Sequence, residues 1–156
     1  MKRLRVFGYI VACMLILGSL GYYASSEQVT AKFFGKWKVV RCVAKPLDAE
    51  LTEEIISDYL GRTYIFGEKS MEIIAPTGNV KVERPFYNLY TLVTEDLSSY
   101  QISVDDLAIK EASISRVGVF RSVKDRCEYV GTTFFIKDED TLLLLAGACF
   151  EMKRVR

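Results

Sequence analysis

The sequence predicts a mainly β protein, an antiparallel up-and-down barrel of about eight strands with one helix after the first strand. Three observations point there. The first strong segment alternates apolar and polar residues with a period of two. A series of short apolar runs follows at close spacing, divided by Gly and Pro, and a single stretch carries the 3.6-residue period of a helix. A barrel is preferred to a sandwich because closure removes exposed strand edges.

The elements follow in order. From Phe33 to Val43, Trp37, Val39 and Val43 fall on one face and Lys36 and Lys38 on the other, the pattern of a half-buried strand. Pro46 ends it. In the helical stretch, Leu51, Ile55 and Tyr59 share a face with Ile56 and Leu60 beside them, Asp48 is the expected N-cap, and Gly61 the expected stop. Glu53 and Glu54 then lie on its solvated face, near the N-terminal end of the dipole, and are not a catalytic pair. Short strands are expected at 62–66, 70–75, 80–84, 89–94 and 100–104, separated by Gly67, by Pro76 with Gly78, and by Pro85. A turn or single helical turn at Asp105 to Ile109 precedes three longer strands near 113–122, 127–137 and 141–153. The last two are joined by Asp138, Glu139 and Asp140, a connection short enough to make them antiparallel neighbours.

The N-terminus reads as an address. Lys2, Arg3 and Arg5 precede an uncharged stretch from Val6 to Ser26 whose centre is apolar, the layout of a secretory signal, with Ala24 and Ser26 as the small residues before a cut at Glu27. The stretch also approaches the length of about 20 residues that spans a bilayer, so residues 1–26 are either a signal peptide or a retained anchor. Ile10 to Cys13 resemble a lipoprotein box, though the apolar sequence continues well past Cys13. Either way residues 27–156 form one domain outside the cytoplasm, and a membrane is touched only through the N-terminal segment.

Composition removes several function classes. The chain has 156 residues and no histidine, so it cannot build a Ser/His/Asp triad, a Cys/His dyad or a His-ligated zinc site from its own side chains. Its 21 Lys and Arg against 20 Asp and Glu give a net charge of +1. Removing the three basic residues of the first segment leaves 18 against 20, a net of −2. No basic face interleaved with aromatics emerges, so nucleic acid is not an expected partner, and Lys153, Arg154 and Arg156 read as a solvated tail. Asp105 with Asp106, Asp125, and Asp138 to Asp140 lack EF-hand spacing and read as acidic turns. There is no phosphate-cradling Gly-rich loop and no Gly-x-Ser-x-Gly elbow; no enzymatic activity, cofactor or metal is expected. Tyr59, Tyr64, Tyr87, Tyr90, Tyr100 and Tyr129 are expected as half-buried strand residues with hydroxyls at the wet rim.

Gly35, Lys36 and Trp37 form a Gly-x-Trp at the start of the first strand, and Arg154 lies at the end of the last. This resembles the lipocalin and calycin pattern, which implies that Trp37 closes one end of the barrel and Arg154 packs across it, with Gly35 beside them as the structural barrel floor. The chain also resembles a group of small secreted bacterial lipocalin-like proteins of uncharacterised function. The shared features are the Gly-x-Trp strand, the helix ending in Leu60 and Gly61, the turn from Asp106 to Lys110, and the stretch from Gly131 to Asp138 followed by Asp140, Thr141 and Leu142. The resemblance implies a fold of calycin type. The helix directly after the first strand and the short middle strands depart from typical lipocalins and point to a shallow or filled interior. Leu142, Leu144, Ala146, Ala148, Phe150, Met152 and Arg154 are expected to line it.

Placing Trp37 opposite Arg154 also puts Cys42 opposite Cys149 across the first and last strands, which makes them a candidate disulfide. The rival pairing is Cys127 with Cys149, in the last hairpin, and a fully reduced state is the third alternative. Catalysis by a free Cys is not expected without an imidazole or a CxxC motif. Two functional classes stand: a barrel that holds a small, largely apolar ligand, or a protein-interaction module such as a protease inhibitor or accessory subunit, acting through its rim loops on an extracytoplasmic protein partner.

Overall fold

Alternation along β1 (Gly35–Ala44) buries Trp37 and Val39 and leaves Lys36, Lys38 and Val40 in water, and this strand sits at the middle of the sheet. The computed structural model describes residues 31–45, 53–100, 103–121 and 128–156, with backbone alone at 99, 100 and 128–132. Eight further strands follow: β2 (Thr63–Phe66), β3 (Ser70–Ala75), β4 (Gly78–Glu83), β5 (Phe86–Val93), β6 (Ser113–Phe120), β7 (Glu128–Ile136), β8 (Thr141–Leu145) and β9 (Cys149–Arg154). All pairings are antiparallel, in the order β4-β3-β2-β1-β9-β8-β7-β6-β5, and the sheet curls into a half-barrel. Residues 1–26, with the expected signal or anchor, lie outside the described residues, as do Asp48 and Cys127.

The closed barrel of about eight strands is corrected to an open sheet of nine, and the topology gives the reason. Eight antiparallel steps separate β4 from β5, so the two edge strands run in the same direction. Only Arg84 and Pro85 join them, which is too short a connection to reverse the chain or cross over to a parallel partner. One bent strand therefore supplies both edges. Arg84 adopts a left-handed conformation at the corner (φ 51°), and its N–H donates to Lys69 O at 2.8 Å, extending the β3–β4 ladder by one rung before the chain swings away.

Two further expectations change. The last predicted strand, 141–153, is a hairpin: Gly147, at φ 72°, turns the chain between β8 and β9. Leu142 and Leu144 nonetheless stay on the same face as Met152 and Phe150, because the hairpin pairs them directly. Of the strand expected at 100–104, the described residues are not strand: Thr94–Tyr100 is a 3-10 helix, and Val104–Leu107 is a short helix, α2, where a turn or single helical turn is expected from Asp105; residues 101 and 102 lie outside the described residues. The helix after β1 is described as α1 (Glu53–Tyr59), followed by Gly61 at φ 84°. Its buried side chain is Ile56, whereas Ile55, expected in the core, is exposed.

The sheet has a core on each face. The concave face is filled by aromatic rings: Phe33, just before β1, lies 4.2 Å from Phe66 and 5.8 Å from Phe134, and Phe66 lies 4.9 Å from Phe134. Tyr64, Met71, Leu142, Leu144, Phe150 and Met152 complete this core, each essentially without exposure. The two contacts of Phe134 are edge-on and the Phe33–Phe66 pair is tilted, and such ring pairs add to the burial of large rings. On the convex face, Leu97 of the 3-10 helix and Leu107 of α2 cover Ala44, Ile114, Phe135, Leu143 and Cys149. The polar segment after β5 thus acts as a lid over the outside of β7, β8 and β9, and explains why β8 is apolar on both faces.

Where that lid ends, Glu151 remains 7% exposed and accepts a hydrogen bond from Arg41 Nη2 at 2.9 Å, with Lys153 Nζ 3.5 Å away. The hydrogen bond from Arg41, reinforced by the Lys153 charge, holds its carboxyl below the usual range. A depressed folded-state pKa contributes stability at neutral pH, and that contribution is lost as pH falls from the unfolded value, near 4.5, through the lower folded one. Glu151→Gln is expected to lower stability at pH 7 by on the order of 1 kcal/mol, since Arg41 is open to water. Urea unfolding of both proteins as a function of pH should show the gap closing in acid; a gap that stays constant to pH 3 contradicts this assignment.

Candidate functional site

The expected floor residues converge on one point. The Arg154 guanidinium carbon lies 4.1 Å from the Trp37 ring centroid, a cation–π stack. Its nitrogens donate to three backbone carbonyls: Nε to Glu139 O at 2.9 Å, Nη1 to Phe34 O at 2.8 Å, and Nη2 to Lys32 O. The Trp37 indole N–H donates to Phe33 O at 2.9 Å. The backbone is helical through Phe33, so the carbonyls of Lys32, Phe33 and Phe34 lie at a helix end that has no intrahelical donors for them, while Glu139 O belongs to the β7–β8 turn. Gly35 is required on two counts. Its φ is +135°, and a β-carbon there would stand 2.6 Å from Arg154 Nη1. Arg154 is thus a structural clamp and not part of a solvated tail, while Arg156, in the same stretch, is exposed and pairs with Asp140 at 3.0 Å.

At the other end of β1 the register departs from the expected one. Trp37 faces Arg154 and Val39 faces Met152, but bulges between Val39 and Arg41 and between Cys42 and Ala44 each add a residue to β1. Cys42 therefore faces Phe150 and Cys149 faces Ala44, so the direct opposition expected of Cys42 and Cys149 is not found, and both are free thiols. Cys149 is buried under the convex core, and that burial pushes its thiol up to about 12. Cys42 is half-buried, and desolvation raises its pKa more modestly against the nearby Lys45 charge.

Between these ends the concave face carries one polar group set. Arg62, just before β2, stacks on Tyr59 with its guanidinium carbon 4.1 Å from the ring centroid and donates to the Asp58 backbone and carboxylate. Tyr59 stacks on Phe150 with ring centroids 4.9 Å apart, which ties α1 to β9. Tyr64 is fully buried rather than at the rim, and burial raises its pKa to about 12 in spite of the nearby Arg62 guanidinium. Tyr87 donates to Gly67 O at 2.9 Å, joining β5 to the β2–β3 turn. The side chains of Tyr100 and Tyr129 lie outside the described residues.

The open space near this set is a groove of about 570 Å³ between α1 and the β3–β4 turn, lined by Glu54, Ile55, Ser57, Asp58, Pro76 and Thr77. Asp58 belongs to both: its carboxylate pairs with Arg62 behind it and borders the groove in front. None of these groove residues was marked for function by sequence reasoning, because Ile55 has a core residue's spacing and Pro76 with Thr77 has the composition of a turn. Among the described residues no three His, Cys, Asp or Glu side chains cluster as a metal site would require. No protein-family model matches the chain, and neither the curated proteins nor the solved structures contain a match.

The two thiols differ enough to be distinguished chemically. Iodoacetamide followed by peptide mass mapping should alkylate Cys42 severalfold faster than Cys149, with Cys149 reacting fully only after denaturation. Equal labelling of the two in the folded protein contradicts the burial described.

Proposed function

We propose that the chain is a lipocalin-like, extracytoplasmic binding protein without enzymatic activity, and that its binding surface is the rim groove between α1 and the β3–β4 turn. The groove on a half-barrel whose concave face is already filled carries this reading. Phe33, Phe66, Phe134 and Tyr64 occupy the place where a lipocalin-like calyx would hold its ligand. The groove's 570 Å³ falls in the range of small-molecule sites, about 300 to 1,000 Å³. Ile55 and Pro76 offer apolar contact, and exposed Glu54 favours a neutral or positive occupant over an anion. A small, largely apolar ligand fits this lining. The absence of any histidine supports binding over acid–base catalysis.

A second reading, a protein-interaction module, is favoured by the openness of the same rim, where Ile55 and Leu60 of the helix region are both exposed. The two separate by experiment. A small hydrophobic fluorophore such as N-phenylnaphthylamine should bind the protein, and Thr77→Trp, which fills the groove, should weaken binding at least tenfold while leaving the circular dichroism spectrum unchanged. Binding unaffected by Thr77→Trp overturns the groove as the ligand site, and absence of any binding favours the protein partner.

A further inference from the structure

We propose that β5 is a dimerisation edge, pairing antiparallel with β5 of a second copy about a two-fold axis at Tyr90. The two edges of the sheet are unequal. β4 is guarded by charge, with Lys81 bridged to Glu83 at 2.8 Å and to Glu72 at 3.7 Å. β5 is eight residues long, carries no charged side chain, and exposes Phe86, Tyr90 and Val93. A long uncharged apolar edge presents unpaired backbone groups to any other strand, and monomeric proteins avoid one.

The backbone selects the partner and its register. Thr94 N–H donates to Ala112 O at 3.0 Å, in line with the β5–β6 ladder. The even-numbered residues of β5 therefore bond to β6, and the N–H and C=O groups of Tyr87, Leu89, Thr91 and Val93 point away from it. A two-fold antiparallel pair must match odd residues with odd. With the axis at Tyr90, Leu89 meets Thr91 of the second copy and Tyr87 meets its Val93, so all four outward sets are used. β5 carries no charged side chain, so no like charges oppose one another along the paired strands. A C2 contact of this kind closes after two copies and leaves no edge to propagate.

Two variants of the full chain, in non-ionic detergent, test this. Thr91→Pro removes an N–H that the β6 ladder does not use, so the monomer's own sheet is kept while the dimer loses two central hydrogen bonds, one from each copy. Tyr90→Cys places two cysteines at a non-hydrogen-bonded pair with Cα atoms about 4.5 Å apart, within disulfide reach. Sedimentation velocity should give a dimer for the wild type and half that mass for Thr91→Pro with an unchanged circular dichroism spectrum. Mild oxidation of Tyr90→Cys should yield a dimer whose crosslink maps to position 90 in both chains. A wild type that sediments as a monomer, as it would if another protein's strand occupied this edge, overturns the proposal, and so does a dimer that Thr91→Pro leaves intact.

Discussion

The stack of Arg154 on Trp37 is the constraint on which the rest of the fold depends. It joins the beginning of β1 to the end of β9, and this pair stands at the centre of the nine-stranded order, with β2 to β4 on one side and β8 to β5 on the other. Arg154 does more than stack, since its nitrogens bind carbonyls of Lys32, Phe34 and Glu139 and so draw together the segment before β1 and the β7–β8 turn. Trp37 holds Phe33 by its carbonyl, and the Phe33 ring then plugs the concave face. One cation on one indole thus fixes the register where β1 meets β9 and, through the Trp37 N–H, seats the Phe33 ring in the interior. Gly35 is the concession that lets the guanidinium come so close.

Above that clamp the two bulges in β1 shift the strand by two residues against β9 and bend it. Burying both faces of β7, β8 and β9 uses up the apolar surface there, the inner face on aromatic rings and the outer on Leu97 and Leu107. A sheet packed on both sides holds no calyx at that position. Two open features among the described residues are peripheral: the groove at the α1 rim and the edge of β5. The two are compatible, because the groove is lined from α1 and the β3–β4 turn and the edge lies on β5.

Much of this was legible in the residues. The period of two in β1, the turn residues between the short strands and the Gly-x-Trp with a C-terminal Arg place most strands and the clamp. The misses have physical causes. Both Gly147 and the bulges interrupt a run whose alternation is otherwise unbroken, and a hairpin turn that keeps Leu144 and Phe150 on one face leaves the pattern of a single strand behind it. Residues 100–104 read as strand because Tyr, Ile and Val favour extended backbone, yet Leu97 and Leu107 gain more by covering the convex face. The bent strand at Arg84 and Pro85 could not be read as two edges, since nothing local says that its halves pair with different neighbours. The groove was invisible for a related reason: it joins a helix and a turn that are adjacent only after the sheet has curled.

Trp37 and Arg154 act as one unit, and a double-mutant cycle tests this most directly. Urea unfolding of wild type, Trp37→Phe, Arg154→Lys and the double variant gives their coupling free energy. Lysine keeps the charge but loses the planar stack and the fork of carbonyl bonds, and phenylalanine keeps a ring but loses the indole N–H. If the account is right, each single variant is destabilised and the double falls short of their sum by on the order of 1 kcal/mol. Losses that add to within about 0.3 kcal/mol would show two independent contacts and contradict it.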